Sequence, residues 1–331
     1  MRLTLKRNFE RETAMDKKTR FSFGNLYSKY GVFLILIIEF VIFSVANSSF
    51  LTPSNILSVG RQMSFTGIAA IGMTLVMLTG GIDISVGSML AMAGVLCAKL
   101  SADLGMPLWV AVILTLLLGA LFGLINGVSV TRFHIPALIA TLATQTILKG
   151  IAYLITNAVP VKNLSDTYKF LGQGYLFGIV PVPLVITIAL FVLAWWYLDK
   201  TYLGRRVYLA GGNEEAARLS GINTKLTITS TYVLSGIFAA IAGVLMAARL
   251  GSGQPSVGSG FEMDVITATV LGGISVNGGK GRVVNVFVGA CIMGVLANGM
   301  TMMNINQYLQ WIINGVVLLF AVTMSNLRKS S

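Results

Sequence analysis

Stretches of about twenty apolar residues recur along almost the whole of this 331-residue chain, and they decide its architecture before any motif is read. Coiled as a helix, a run of that length matches the hydrocarbon thickness of a bilayer, and packing in water does not require it. Segments such as "YGVFLILIIEFVIFSV" and "MPLWVAVILTLLLGALFGLI" are apolar on every face. A membrane β-barrel would instead alternate polar and apolar residues in strands of about ten. A helix satisfies its backbone polar groups within its own segment, so it is the remaining way across. The chain therefore reads as all-α, a polytopic membrane protein, and its 55% hydrophobic and 11% charged residues agree.

About ten spans can be drawn, at 31–48, 60–80, 84–102, 107–130, 135–156, 180–198, 226–248, 263–275, 283–302 and 307–325. The eighth is short and contains threonine. They define a transmembrane domain over 31–325 with a polar loop at 199–225, preceded by a basic tail, 1–30, and followed by a short tail, 326–331. The net charge of +12 could suggest nucleic acid, but its distribution points to a membrane surface. The first thirty residues hold eight Lys/Arg and three acidic residues; the segment is too polar for a cleaved signal peptide, and the first span is expected to remain as an anchor. With the N-terminus in the cytoplasm, eighteen of the twenty-four Lys/Arg fall on the inner side, which places both termini there and makes the span count even. An eight-span count would satisfy the same rule.

"GALFGLINGV" (119–128) is echoed by "GACIMGVLANGM" (289–300), five spans later and so of opposite orientation, as in inverted 5+5 repeats. Gly119, Gly123 and Gly127 form a small-residue face that lets helices approach closely. The cysteines, Cys97 and Cys291, lie in apolar runs and read as small buried hydrophobes. The single histidine, His134, has no ligand-forming neighbour, so no metal site is expected.

Four polar stretches interrupt this pattern. "GGNEEAARLSGI" (211–222) encodes a two-turn helix in the polar loop. Asn213 is its N-cap, Glu214 and Glu215 occupy the first turn, Glu214 and Arg218 are four apart, and Gly221 is the C′ residue. An isolated helix so short is marginal in water and must rest on something. Either it caps its own domain, or Ala216, Ala217 and Gly221 form a face for a separate subunit. In "LTGGIDISVGSM" (78–89), Gly80 and Gly81 break one helix and Asp83 or Ser85 can cap the next. Asp83 is the only charge between Arg61 and Lys99, so a gate role is the other reading. "ARLGSGQPSVGSGFEMD" (248–264) reads as an outer-face loop whose Gln254, Pro255, Glu262 and Asp264 could meet a hydroxylated ligand or a docking protein. In "LGGISVNGGKGR" (271–282) a phosphate-loop reading fails, because Ile274 stands where a Walker A loop needs its first glycine and Gly281 where it needs Ser/Thr.

On "GMTLVMLTGGIDISVGS" (72–88), which overlaps the second of these stretches, and on the other three, across about 30–325, the chain resembles the permease subunits of bacterial ABC importers for ribose and related monosaccharides. This branched permease family also has xylose, arabinose, galactoside and autoinducer-2 members. The resemblance implies that 213–221 is a coupling helix and that a second permease chain, most simply an identical copy, stands alongside. It further implies a cytoplasmic ABC ATPase pair that holds the ATP and Mg, a periplasmic sugar-binding protein, and a multi-pass location in the bacterial inner membrane. No cofactor is expected on this chain, and no bond-changing chemistry. The N-terminal extension is longer and more basic than the family pattern, so no role is carried onto it.

Transport by alternating access follows from that reading. Asn126, Thr141, Thr144, Gln145 and Asn298 are candidate path residues, since hydroxyl and amide groups on apolar helices can pair with sugar hydroxyls; helix–helix hydrogen bonding is the equal alternative. The rival function is a proton- or sodium-driven secondary sugar transporter, for which Glu39 is the one carboxylate well inside a drawn span. No paired His/Asp/Glu or Ser/His constellation in the spans supports an enzyme.

Overall fold

Each of the ten apolar runs is helical in the computed structural model, which describes residues 23–330. In chain order these are α1 (Phe23–Ala46), α2 (Pro53–Leu78), α3 (Val86–Ala98, continued by a π-helical turn at Lys99–Asp103), α4 (Leu108–Thr131) and α5 (Ala137–Thr156). A short helix, α6 (Asp166–Gln173), and a small antiparallel hairpin, β1 (Tyr175–Leu176) with β2 (Val180–Pro181), lead into α7 (Val182–Lys200). The polar loop folds as α8 (Tyr202–Gly212) and α9 (Glu214–Leu219), and α10 (Thr224–Leu250), α11 (Phe261–Leu271), α12 (Val283–Met302) and α13 (Gln307–Ser330) complete the bundle. Most of the basic tail assigned to 1–30 lies outside the described residues.

Proline starts several helices, where its missing N–H and fixed φ cost nothing: Pro53 opens α2, and Pro107, Pro136 and Pro181 immediately precede α4, α5 and α7. Left-handed residues end others, Asn157 after α5 and Gly251 after α10.

Among the described residues, seven of these helices are long and apolar enough to cross a membrane, and α1 and α13 contribute further apolar stretches at Val32–Ala46 and Gln307–Thr323. The expected eighth span departs most from the sequence reading. With 11 residues, α11 is only about 16 Å long, roughly half a hydrocarbon core. Gly272 and Gly273 (φ +83°) stop it, with the Gly273 N–H bonded to the Val270 carbonyl at 2.8 Å. The other half of the distance is taken by the preceding loop, which packs along α3. A Cβ on Gly253 would press on Ala98, Gly94 and Val95, and one on Gly258 would collide with Gly87 and approach Ala91. The segment thus runs down along α3 and delivers the N-terminus of α11 beside the start of that helix.

The packing repeats between the first five spans and the last five. Pairing each span with the one five further on, the packing of α4 on α10 corresponds to that of α12 on α2, and α3 on α5 corresponds to α11 on α13. Glycines set the closest approaches. Gly123 lies against the backbone of Tyr232 and Val233, and Gly119 faces Gly236 so tightly that neither has room for a side chain. The core is centred on α2, α3 and α10, whose inward residues are almost fully buried. The exposed faces of α4 and α7 present Leu117, Leu121, Val192 and Trp196, as helices in lipid do.

Candidate functional site

Two features stand out once the apolar packing is set aside: a buried chain of polar side chains at the break between α2 and α3, and the small helix α9 at one end of the bundle. The break forms as the glycine pair predicts. Gly80 takes φ +81°, and Gly81 leaves no space for a Cβ beneath the Tyr232 hydroxyl. Asp83, 1% exposed, then accepts from the Ser85 N–H at 3.1 Å, the Ser85 hydroxyl at 2.5 Å and, across the bundle, the Ser235 hydroxyl of α10 at 2.8 Å. Asp83 therefore holds the turn into α3, while Ser85 makes no side-chain cap bond of its own.

From Ser85 the chain of bonds runs outward through two helices. The Asn126 amide of α4 donates to the Ser85 hydroxyl at 3.0 Å, and Thr144 of α5 donates to the Asn126 carbonyl oxygen at 2.5 Å. Thr141 bonds back to Ala137 at 2.9 Å and reaches the Ile82 carbonyl at 3.4 Å. A buried carboxylate is tolerable when its hydrogen bonds are supplied this fully. The fold thus joins four residues singled out in the sequence, Asp83, Ser85, Asn126 and Thr144, and adds Ser235 of α10, which no sequence pattern marks.

The neighbouring residues group differently. Gln145 donates to Glu262 at 3.1 Å and so ties α5 to the first turn of α11; Glu262 is 8% exposed, and its second oxygen has no partner among the described residues. Asp264, two residues on, faces the other way and accepts from Asn314 of α13 at 2.8 Å. Pro255 is buried, and Gln254 is half-buried and bonded to Ser252 at 3.0 Å, so this part of the loop packs into the bundle. Asn298 belongs to neither group: it donates to Asn55 at 3.0 Å and links α12 to the first turn of α2. Asp83 and Glu262 fall just outside the spans drawn from the sequence, in which Glu39 is the one carboxylate well inside, and both are buried. Their flanking glycines read as loop, yet they pack in the interior.

At the end of the bundle carrying α8 and α9, the Asn213 side chain accepts the Ala216 N–H at 2.9 Å, and Gly221 ends the turn at φ +81°. Arg218 pairs with Glu215 at 3.8 Å instead of with Glu214, and the six-residue helix closes with an i+3 bond from Gly221 N–H to the Arg218 carbonyl. Ala217 is turned inward and buried. The outward face consists of Glu214, Glu215, Ala216, Arg218 and Leu219, with Leu219 80% exposed. This replaces the small-residue face expected from Ala216, Ala217 and Gly221.

The two features touch. A Cβ on Gly211, at the end of α8, would collide with the Leu78 carbonyl and press on Thr79, the residues that open the break. Gly278 and Gly279, in the loop after α11, pack on Gly211 and Gly212, and the Gly279 N–H donates to the Leu78 carbonyl at 2.8 Å. Tyr208 of α8 donates to the Gly281 carbonyl at 3.0 Å, and burial raises its pKa above the ordinary tyrosine value. The polar loop, the α2–α3 break and the end of the half-helix thus meet backbone to backbone. Among the described residues no group of three His, Cys, Asp or Glu could hold a metal.

A helical membrane domain with paired halves, a half-length helix and facing polar side chains defines a permease. The chain belongs to the family described as the permease component of branched-chain amino acid transport systems, whose model matches residues 55–322. It is 41% identical over 322 residues to the ribose import permease protein RbsC of Bacillus subtilis, covering 97% of this chain and 99% of that one. It is also 38% identical to the L-arabinose transport system permease protein AraH of Escherichia coli (95% of each chain). To the D-allose transport system permease protein AlsC of the same organism it is 36% identical (94% of this chain, 96% of the other). No solved structure matches the chain.

Proposed function

We propose that this chain is the membrane subunit of an ATP-driven importer that carries a monosaccharide, ribose or a related sugar, across the bacterial inner membrane by alternating access. The family description mentions amino acids, but the full-length relatives are named for ribose, arabinose and allose, which favours a sugar. The chain contributes no nucleotide site. ATP and Mg belong to a cytoplasmic ABC ATPase, a periplasmic sugar-binding protein delivers the substrate, and a second copy of the chain completes the path. Both termini and the α8–α9 end lie in the cytoplasm.

One observation carries this reading: α9 turns charged residues and an exposed leucine outward, while the segment immediately before it rests on the backbone that opens the α2–α3 break. Closure of the ATPases pushes α9. Gly211 then passes the displacement to Leu78 and Thr79, and hence to the turn held by Asp83. Because Gly211 has no side chain to yield, a rigid displacement is transmitted there with little loss. The Asp83–Ser85–Asn126–Thr144 chain joins that turn to α4 and α5, so the two helices shift with it and change which side the path faces.

The test is affinity purification of the tagged chain from native membranes, with co-eluting proteins identified by mass spectrometry. Wild type is expected to bring down an ABC ATPase in about equal amount, and Leu219→Glu to elute without it while staying monodisperse. Equal ATPase recovery with both would remove α9 as the docking element, and wild type eluting alone would remove the importer reading.

A further inference from the structure

Beside the first turn of α11, on the side away from Glu262, a cleft of about 320 Å³ opens between that helix and α13, lined by Ser259, Met263, Asp264, Trp311 and Asn314 among others. We propose that this cleft is a binding subsite for the transported monosaccharide, with the Trp311 indole as the platform for the sugar ring and the Asp264–Asn314 pair as the hydroxyl-binding group. The assignment rests on the sugar-importer reading above and goes further by naming where on this chain the sugar is held.

The surroundings say what the cleft does not face. Next to it α13 exposes Ile312, Val316, Leu319 and Phe320, the surface a helix offers to lipid or to another apolar protein face. A carboxylate opening among such residues is costly against hydrocarbon, and carboxylates within membrane bundles face the interior or a water-filled route. Asp264 accepts from the Asn314 amide through one oxygen, at 2.8 Å, which fixes both groups. The Asn314 carbonyl oxygen has no partner among the described residues. Carboxylate and amide side by side supply the mixed acceptors and donors that adjacent sugar hydroxyls need.

Trp311 provides the apolar half of the site. It is 52% exposed and held edge-on against Tyr308 with the ring centroids 5.6 Å apart, so a large ring face is presented at little further ordering cost. The volume is at the lower end of small-molecule sites, suited to one sugar ring. The position also fits, since the broken element α11 starts here, and interrupted helices in transporters place their ends at the substrate.

The experiment uses the complete complex, permease with its ATPase and binding protein, in proteoliposomes, and measures ATP-dependent uptake of labelled ribose, arabinose and allose. Trp311→Ala and Asp264→Ala should each lower uptake about tenfold, as loss of one charged hydrogen bond or one stacking contact would. They should also change the ratio of allose to ribose uptake, and Trp311→Phe should restore most of the rate. Unchanged uptake in both alanine variants would overturn the subsite. So would an equal fall for every sugar, or a fall explained by dissociation of the two permease copies, since these mark a structural or interface role. Wild type that takes up none of the sugars would overturn the importer reading itself, an outcome separate from the others.

Discussion

Asp83 is the residue on which the interior turns. Its carboxylate collects three hydrogen bonds from two serines, one of them 152 residues away in sequence, and so fixes the turn into α3 and its distance from α10 together. Removing it strands buried donors at about 1–3 kcal/mol each. Asp83→Ala should therefore lower the melting temperature of the purified protein by several degrees, and Asp83→Asn, which keeps one acceptor, by less. Identical melting curves for wild type and Asp83→Ala would show that the bonds carry no stability. Sequence alone marked Asp83, as the lone charge in a long uncharged stretch, and marked Asn126 and Thr144 as polar residues on apolar helices. It could not show that they form one chain, since that depends on which helix faces lie opposite each other. The burial of Glu262 was hidden for a related reason: a glycine- and serine-rich segment reads as loop, and here the missing side chains let the backbone settle against α3.

Among the elements, α9 was the most legible, because capping chemistry is local. Asn213 and Gly221 act where their types predict, whereas the inward turn of Ala217 depends on what lies beneath the helix. The Arg218–Glu215 pair is exposed on both sides, so Glu215→Ala should change thermal stability by less than about 1 kcal/mol. Glu215→Lys should leave the chain in the membrane but weaken its link to the ATPase. Gly221→Val has open space around it and meets only the cost of a left-handed backbone, about 1–2 kcal/mol, which frays the end of the helix. Gly211→Val is the sharper case, since its Cβ would collide with the Leu78 carbonyl. We expect an assembled complex that hydrolyses ATP with uptake reduced at least about tenfold, by the conversion of 1.4 kcal/mol per decade. Uptake at the wild-type rate would mean the push does not pass through this contact. The half-length of α11 was only partly visible: its span looked short and threonine-containing, but the loop that completes its path had no apolar signature.

For the whole molecule, composition and run length sufficed for the class, and the glycine echo between the fourth and ninth spans corresponds to real packing, α4 on α10 and α12 on α2. What the apolar pattern could not rank was the energy source. Carboxylates in the interior are the usual sign of ion coupling, and Glu39 and Glu262 each keep an oxygen without a partner among the described residues. Asp83, by contrast, has its bonds filled, and the contact between Gly211 and Leu78 is the route to it that the proposed ATP-driven movement would use. The deciding measurement is sugar uptake into proteoliposomes containing the permease, its ATPase and its binding protein, with ATP supplied and a protonophore and sodium ionophore present. Uptake that persists at full rate and stops when ATP is withdrawn is the predicted result. Uptake that collapses with the ion gradients while ATP is maintained would contradict the account and make the chain a gradient-driven carrier.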